Sequence, residues 1–116
     1  MKYAEAFDGR NITLCEYRGE RLWVSVWARI EDGKLTVEGQ DLGPVPEEWF
    51  GSSEYEYFCY FDEAGTEKLL SALAEGNKDP VREMESRFSG RSGFQELTDY
   101  CKENGIPYRR ASWFSD

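Results

Sequence analysis

The chain has 116 residues, of which 40% are hydrophobic, 32% charged and 16% aromatic, and its net charge is −9. This length suits one domain with a single hydrophobic core, and the composition excludes a disordered chain. The negative charge argues against nucleic acid as a partner, because proteins bind it largely by neutralising phosphates. We therefore expect one domain over residues 1–116.

The first part of the chain has strand patterns. Residues 3–7 (YAEAF) predict a weak strand, and residues 11–18 (NITLCEYR) predict a second one. Residues 21–30 alternate strictly, so that the apolar side chains lie on one face of a strand and Trp23 and Trp27 lie on the other. This run is the strongest strand signal in the sequence.

A hairpin and a loop follow. Asp32-Gly33 between two alternating runs predicts a tight hairpin, with residues 34–40 as the returning strand. Residues 39–53 contain two prolines and several glycines and predict a long loop held against the body of the domain. Residues 54–62 (EYEYFCYFD) then predict another strong strand.

The second part of the chain is predicted to be helical. Residues 64–76 have helical spacing, and Asp79-Pro80 is typical of a helix start. Ser92 and Gln95 match a capping box that would begin a third helix. Residues 106–114 predict a closing strand. The order predicts an α+β fold, an antiparallel sheet of five to six strands with about three helices packed on one face.

The cysteines and the hydropathy indicate the compartment. Cys15, Cys59 and Cys101 are far apart and form no CxxC pair, so we expect reduced, buried thiols that contribute packing. No segment is apolar enough for a signal peptide or a membrane span. Together these features predict a soluble, cytoplasmic protein that does not contact a membrane.

Acidic residues are concentrated in one part of the chain, which we call the acidic segment (residues 31–67). It contains eleven acidic residues and one base, Lys34, whereas the rest of the chain has thirteen bases and twelve acids. Such a segment is typical of a surface that attracts a basic partner. The alternative is a solvated surface that only keeps the protein in solution.

The sequence offers little for catalysis. Histidine is absent, which removes Ser-His and Cys-His pairs and the commonest metal ligand. No phosphate-binding loop or calcium loop is present. We expect no enzyme activity, no cofactor and no metal. Glu38, Asp41, Glu54 and Glu56 leave one exception open, since their convergence would create a divalent-cation site or a catalytic carboxylate pair.

Tryptophans suggest a second kind of site. Trp23 and Trp27 occupy the polar face of the strongest strand, where they either form a second core layer under Trp49 and Phe50 or provide an aromatic floor for a partner. Tyrosine and tryptophan ringed by charge are typical of protein interfaces. The candidate partner-binding residues are Trp23, Trp27, Glu38, Asp41, Glu47, Glu48, Trp49, Glu54 and Glu56.

Three segments resemble a group of bacterial proteins: GKLTVEGQDLG (33–43), EYEYFCYF (54–61) and NGIPY (104–108). The group consists of small bacterial proteins without an assigned activity. Proteins of this size, charge and α+β composition recur among the immunity proteins that neutralise toxins delivered between competing bacteria. The resemblance covers residues 20–110 and names no catalytic residues. It implies that an acidic face covers the basic active site of a cognate toxin, such as a nuclease.

The leading hypothesis is therefore a protein-binding module, an immunity protein or inhibitor that uses an acidic, aromatic-containing face to block a basic protein. The alternative is a small-ligand or divalent-cation-binding domain that uses the clustered carboxylates. A carboxylate-based enzyme ranks last.

Overall fold

The computed structural model describes residues 3–115, with the side chains of residues 50 and 115 outside that description. Five strands form one sheet: β1 (Asn11–Arg18), β2 (Trp23–Glu31), β3 (Lys34–Leu42), β4 (Glu54–Tyr60) and β5 (Arg109–Ser115). The helices are α1 (Tyr3–Ala6), α2 (Pro44–Phe50), α3 (Glu63–Leu73), α4 (Pro80–Arg87) and α5 (Gly93–Glu103). The predicted α+β class and antiparallel sheet are confirmed, and of the five to six strands predicted the sheet has five.

The sheet is a meander in which spatial order equals chain order and every neighbouring pair is antiparallel. Asp32 and Gly33 join β2 to β3 with φ values of 52° and 77°. Two consecutive positive φ values define the tight hairpin turn that an Asp-Gly pair favours, so this prediction is confirmed. The chain then passes through α3, α4 and α5 before β5 pairs with β4.

The hydrophobic core forms against one face of the sheet. Val26, Ala28 and Val37 on this face have no exposed surface, as expected from the strict alternation of β2. They belong to one buried cluster with Leu70 of α3 and Leu97 of α5. We call this the core face of the sheet.

Two secondary-structure predictions are wrong. Residues 3–7 were expected to form a strand, but Tyr3–Ala6 is helical, and the Glu67 carboxylate accepts hydrogen bonds from the backbone N–H groups of Tyr3 and Ala4 at 3.0 and 2.8 Å. Residues 39–53 were expected to form a loop, but β3 extends to Leu42 and α2 follows. A proline at the first turn of α2 and a left-handed Gly51 at its end are helix-end signals rather than loop signals.

The helix starts give a mixed result. Asp79 caps α4 as predicted, since its side chain accepts hydrogen bonds from the backbone N–H groups of Val81 and Arg82. The capping box predicted at Ser92 is wrong, because the Ser92 side chain makes no cap hydrogen bond. Gln95 instead donates to Asp99, 2.9 Å away and one turn further along α5.

Candidate functional site

The second face of the sheet carries no residue of the buried core cluster, and we call it the open face. Strand pairing arranges its side chains in two outer and two inner rows, and beyond them Glu31 of β2 lies opposite Lys34 of β3 beside the hairpin turn. One outer row is Arg18, Trp23, Leu42 and Glu54; the inner rows are Glu16, Ser25, Gln40, Glu56 and Trp113, then Thr13, Trp27, Glu38, Phe58 and Ala111; the other outer row is Asn11, Arg29, Thr36, Tyr60 and Arg109.

Aromatic side chains are prominent on the open face. Trp23 and Trp113 are 47% and 46% exposed. Phe58 is only 7% exposed, because it stacks on Trp113 with ring centroids 4.4 Å apart and lies 5.8 Å from the parallel ring of Tyr60. The face therefore contains a packed aromatic cluster whose outer surface contacts solvent. Large exposed aromatics of this kind are typical of interaction surfaces.

Charges on the open face are arranged by row. The inner rows contain the carboxylates of Glu16, Glu38 and Glu56 and no basic residue. Arginines occupy only the outer rows, where the guanidinium of Arg18 lies 5.1 Å from the Trp23 ring and that of Arg109 lies 4.6 Å from the Tyr60 ring. The inner rows therefore carry only negative charge, whereas the arginines of the face lie in its outer rows, one of which also contains Glu54.

The candidate residues fall into three places. Trp23, Trp27, Glu38, Glu54 and Glu56 share the open face. Asp41 lies on the core face, where its carboxylate accepts a hydrogen bond from the Tyr57 hydroxyl at 2.7 Å. The third place is α2, which carries the remaining candidates Glu47, Glu48 and Trp49. Trp49 is 77% exposed and does not bury Trp23, which is itself about half exposed.

The acidic segment does not form one surface. Glu48 pairs with Arg21 beside α2, and Glu54 accepts a hydrogen bond from Gln40 at 2.6 Å on the open face. Glu63 and Glu67 line a cavity of about 610 Å³ together with Glu5, Asp8 and Asp32. Successive side chains of a strand point to opposite faces of the sheet. Acidic residues that are close in the sequence therefore lie on different surfaces of the domain.

The cation-site alternative required four carboxylates to converge. Glu38, Glu54 and Glu56 share the open face, but Asp41 lies on the other side of the sheet. Within residues 3–115 there is no group of three or more acidic or cysteine side chains placed to hold a metal ion. The four residues are therefore not assembled into one site.

Asp41 and Tyr57 form a polar pair inside the core face. Burial raises the pKa of Asp41 above its ordinary value, and the hydrogen bond from Tyr57 opposes that rise. Burial also raises the pKa of Tyr57, as does the hydrogen bond to Asp41. The ionised carboxylate therefore costs the folded state more than the unfolded state, so this group stabilises the fold less at neutral pH than at acidic pH.

Replacing Asp41 with asparagine is expected to stabilise the protein at pH 7. The amide oxygen still accepts the Tyr57 hydrogen bond, and no charge is buried. Because the pKa is raised in the folded state, the gain should shrink as the pH falls towards the ordinary value of 3.8, where the parent carboxyl also becomes neutral. Urea unfolding between pH 7 and pH 4 measures the difference. Glu75→Gln, which removes an exposed charge, is the control; an equal, pH-independent gain in both variants would contradict the burial argument.

The three cysteines are free and buried, as expected. Burial raises the pKa of Cys59 and of Cys101 to about 12, and burial is also the main cause of the raised pKa of Cys15. A thiolate is the reactive form of cysteine, so these thiols are poor nucleophiles at neutral pH.

Titration of the native protein with a chromogenic disulfide reagent at pH 7.5 should therefore detect three slow thiols. Denaturation should release all three at once, because exposure restores their ordinary pKa. One thiol that reacts in the native state as fast as a free cysteine would contradict this prediction and reopen a catalytic role.

For several residues, a position on the open face cannot be predicted from the sequence. Trp113, Ala111 and Arg109 join the face only because β5 pairs with β4, and three helices separate these strands in the chain. Glu16 enters through the pairing of β1 with β2. Alternation within residues 109–115 predicts that Arg109, Ala111 and Trp113 share one face of a strand. The pattern does not indicate which strand lies beside it.

The fold and this surface define an α+β domain with a meander sheet and one exposed aromatic sheet face. No family model matches the chain, and no similar protein is found among the curated sequences or the solved structures. None of the helices in residues 3–115 is long and apolar enough to cross a membrane.

Proposed function

We propose that the chain is a protein-binding module whose contact surface is the open face. The observation that carries this proposal is the exposure of Trp23 and Trp113 on a sheet face that the core does not use. Tryptophan and tyrosine dominate the energetics of protein interfaces, and they cluster near the interface centre with charged residues at the rim. Binding through this face requires no catalytic group.

The partner is a basic protein. The inner rows of the open face carry three carboxylates and no base, and the whole chain has a net charge of −9. Complementary charge raises the association rate and disfavours partners of the same sign. Nucleic acid has the wrong sign for this surface.

The narrower role is that of an immunity protein or inhibitor in the cytoplasm, which covers the basic active site of a toxin such as a nuclease. Its support is the resemblance of residues 33–43, 54–61 and 104–108 to small bacterial proteins without an assigned activity, together with the size, charge and α+β composition that the chain shares with immunity proteins. The acidic centre of the open face is consistent with that role, because an active site that binds phosphates is basic.

The test compares two tryptophan variants that differ in position. The double variant Trp23→Ser/Trp113→Ser removes exposed rings from the open face, whereas Trp49→Ser removes a more exposed ring from α2. A basic protein retained by the parent chain at low salt is measured against each variant. The double variant should bind at least about 30-fold more weakly, equivalent to losing about 2 kcal/mol, and Trp49→Ser should match the parent.

Salt and stability provide the controls. Binding should weaken with added salt, because the Debye length falls from about 10 Å at 0.1 M to about 3 Å at 1 M. Equal melting temperatures would exclude unfolding as the cause of any loss. If the double variant binds like the parent while Trp49→Ser fails, the contact surface lies at α2 and the proposal is wrong.

A further inference from the structure

The aromatic rings of the open face mostly have a partner within the protein. Trp23 lies under the guanidinium of Arg18, and Tyr60 lies under that of Arg109. Phe58 and Trp113 stack on each other. The ring of Trp27 is different: no stacked ring and no guanidinium approaches it from the described part of the chain.

A notch opens beside Trp27. It has a volume of about 260 Å³ and is lined by Trp27, Arg29, Glu31, Thr36 and Glu38. Glu38 lies directly opposite Trp27 across β2 and β3. Its half-buried carboxylate has no hydrogen bond or ion pair with any residue that the structure describes. A ring and an unpaired carboxylate therefore share one small cavity.

The one base in the notch is already engaged. Arg29 forms an ion pair with Glu31 at 3.0 Å and donates to the Asn11 side chain at 3.1 Å. Its charge is balanced by Glu31, so Glu38 gives the notch a net negative charge. The notch thus attracts a cation that can also contact an aromatic ring.

We infer that the notch binds the guanidinium of one arginine side chain of the basic partner, an inference that rests on the proposed function of the open face. The planar group lies over the Trp27 ring and donates to the Glu38 carboxylate. The contact between this guanidinium and the Trp27 ring has the same form as the contacts of Arg18 with the Trp23 ring and of Arg109 with the Tyr60 ring. Arginine fits better than lysine, because a guanidinium stacks on a ring and donates two parallel hydrogen bonds to a carboxylate.

The first test uses a defined probe and no partner. The ¹⁵N-labelled protein is titrated at constant ionic strength with a capped Gly-Arg-Gly peptide and, separately, with capped Gly-Lys-Gly. The arginine peptide should shift the indole N–H of Trp27 and the backbone N–H of Glu38, while the indole N–H of Trp49 stays in place. Glu38→Gln should abolish the shifts, and Glu85→Gln on α4 should preserve them. Shifts that are absent, equal with lysine, or unchanged in Glu38→Gln would overturn the inference.

The second test separates this inference from the proposed function. Against a basic partner retained by the parent, Glu38→Gln and Trp27→Leu should each weaken binding at least tenfold, and Glu85→Gln should not. If both variants bind normally while Trp23→Ser/Trp113→Ser fails, the arginine site is wrong and the open face remains the contact surface. If Trp23→Ser/Trp113→Ser binds normally, the proposed function fails, and the inferred partner contact fails with it.

Discussion

Replacing Gly39 with alanine is expected to destabilise the fold by about 3 kcal/mol, at the upper end of the usual cost of overpacking a core. A Cβ atom at this position would lie 1.9 Å from Cε2 and 2.4 Å from Cζ of Tyr57, its direct neighbour on β4. The Tyr57 ring cannot move away easily. It packs edge-on against Phe94 at 4.7 Å, and its hydroxyl is bound to Asp41. Urea unfolding measures the change.

Gly19→Ala is the matched control, because the three atoms nearest to its Cβ would all belong to the end of the exposed Tyr17 side chain, with the hydroxyl oxygen 2.7 Å away. That side chain can rotate away, so we expect a change within about 0.5 kcal/mol. A double-mutant cycle with Tyr57→Leu should show that Gly39→Ala lowers the free energy of unfolding by less when the Tyr57 ring is absent. Equal costs in the presence and absence of the ring would contradict the steric explanation.

Replacing Gly93 with alanine should lower the free energy of unfolding at least as much as Gly39→Ala does, by about 3 kcal/mol or more. A Cβ atom here would lie 1.8 Å from the carbonyl oxygen and 2.6 Å from the carbonyl carbon of Phe88, the C-cap residue that follows α4. Backbone atoms cannot rotate away as a side chain can, so α4 and α5 would have to separate. Phe88 and Phe94, which flank this contact, are both buried in the core and would lose packing.

Ser92→Ala tests the same turn without the clash. The Ser92 side chain makes no cap hydrogen bond, so the change should be within about 0.5 kcal/mol. A working cap would cost about 1 kcal/mol or more. If Ser92→Ala destabilises the protein as much as Gly93→Ala, the start of α5 depends on a serine cap, and the close approach to Phe88 is not what limits this turn.

Neither glycine lies on the open face, so any folded fraction of these variants should keep the proposed binding of a basic partner. The stability of the domain and the chemistry of its proposed contact surface are thus separable. The core face carries Gly39 and Tyr57, while the open face carries Trp23, Trp27 and Trp113.

The local features of this protein can be predicted from its amino-acid sequence. Strand alternation, the Asp32-Gly33 hairpin and the Asp79 cap depend on side chains and dihedral angles a few residues apart, so their patterns are readable along the chain. The same alternation, continued past residue 40, places Asp41 with Leu35 and Val37 on the core face, whereas the glycines and prolines of residues 39–53 favour a loop there.

Contacts between distant segments depend on the packing of the whole domain. Glu67 binds the backbone N–H groups of Tyr3 and Ala4, and this contact across 63 or 64 residues accompanies a helix where local propensity predicted a strand. Likewise, β5 reaches β4 across three helices, which brings Trp113 onto the open face beside Phe58. Such pairings depend on how whole elements pack, and no short-range pattern encodes them. For this reason the acidic segment is continuous in the sequence but spread over both faces and both ends of the sheet.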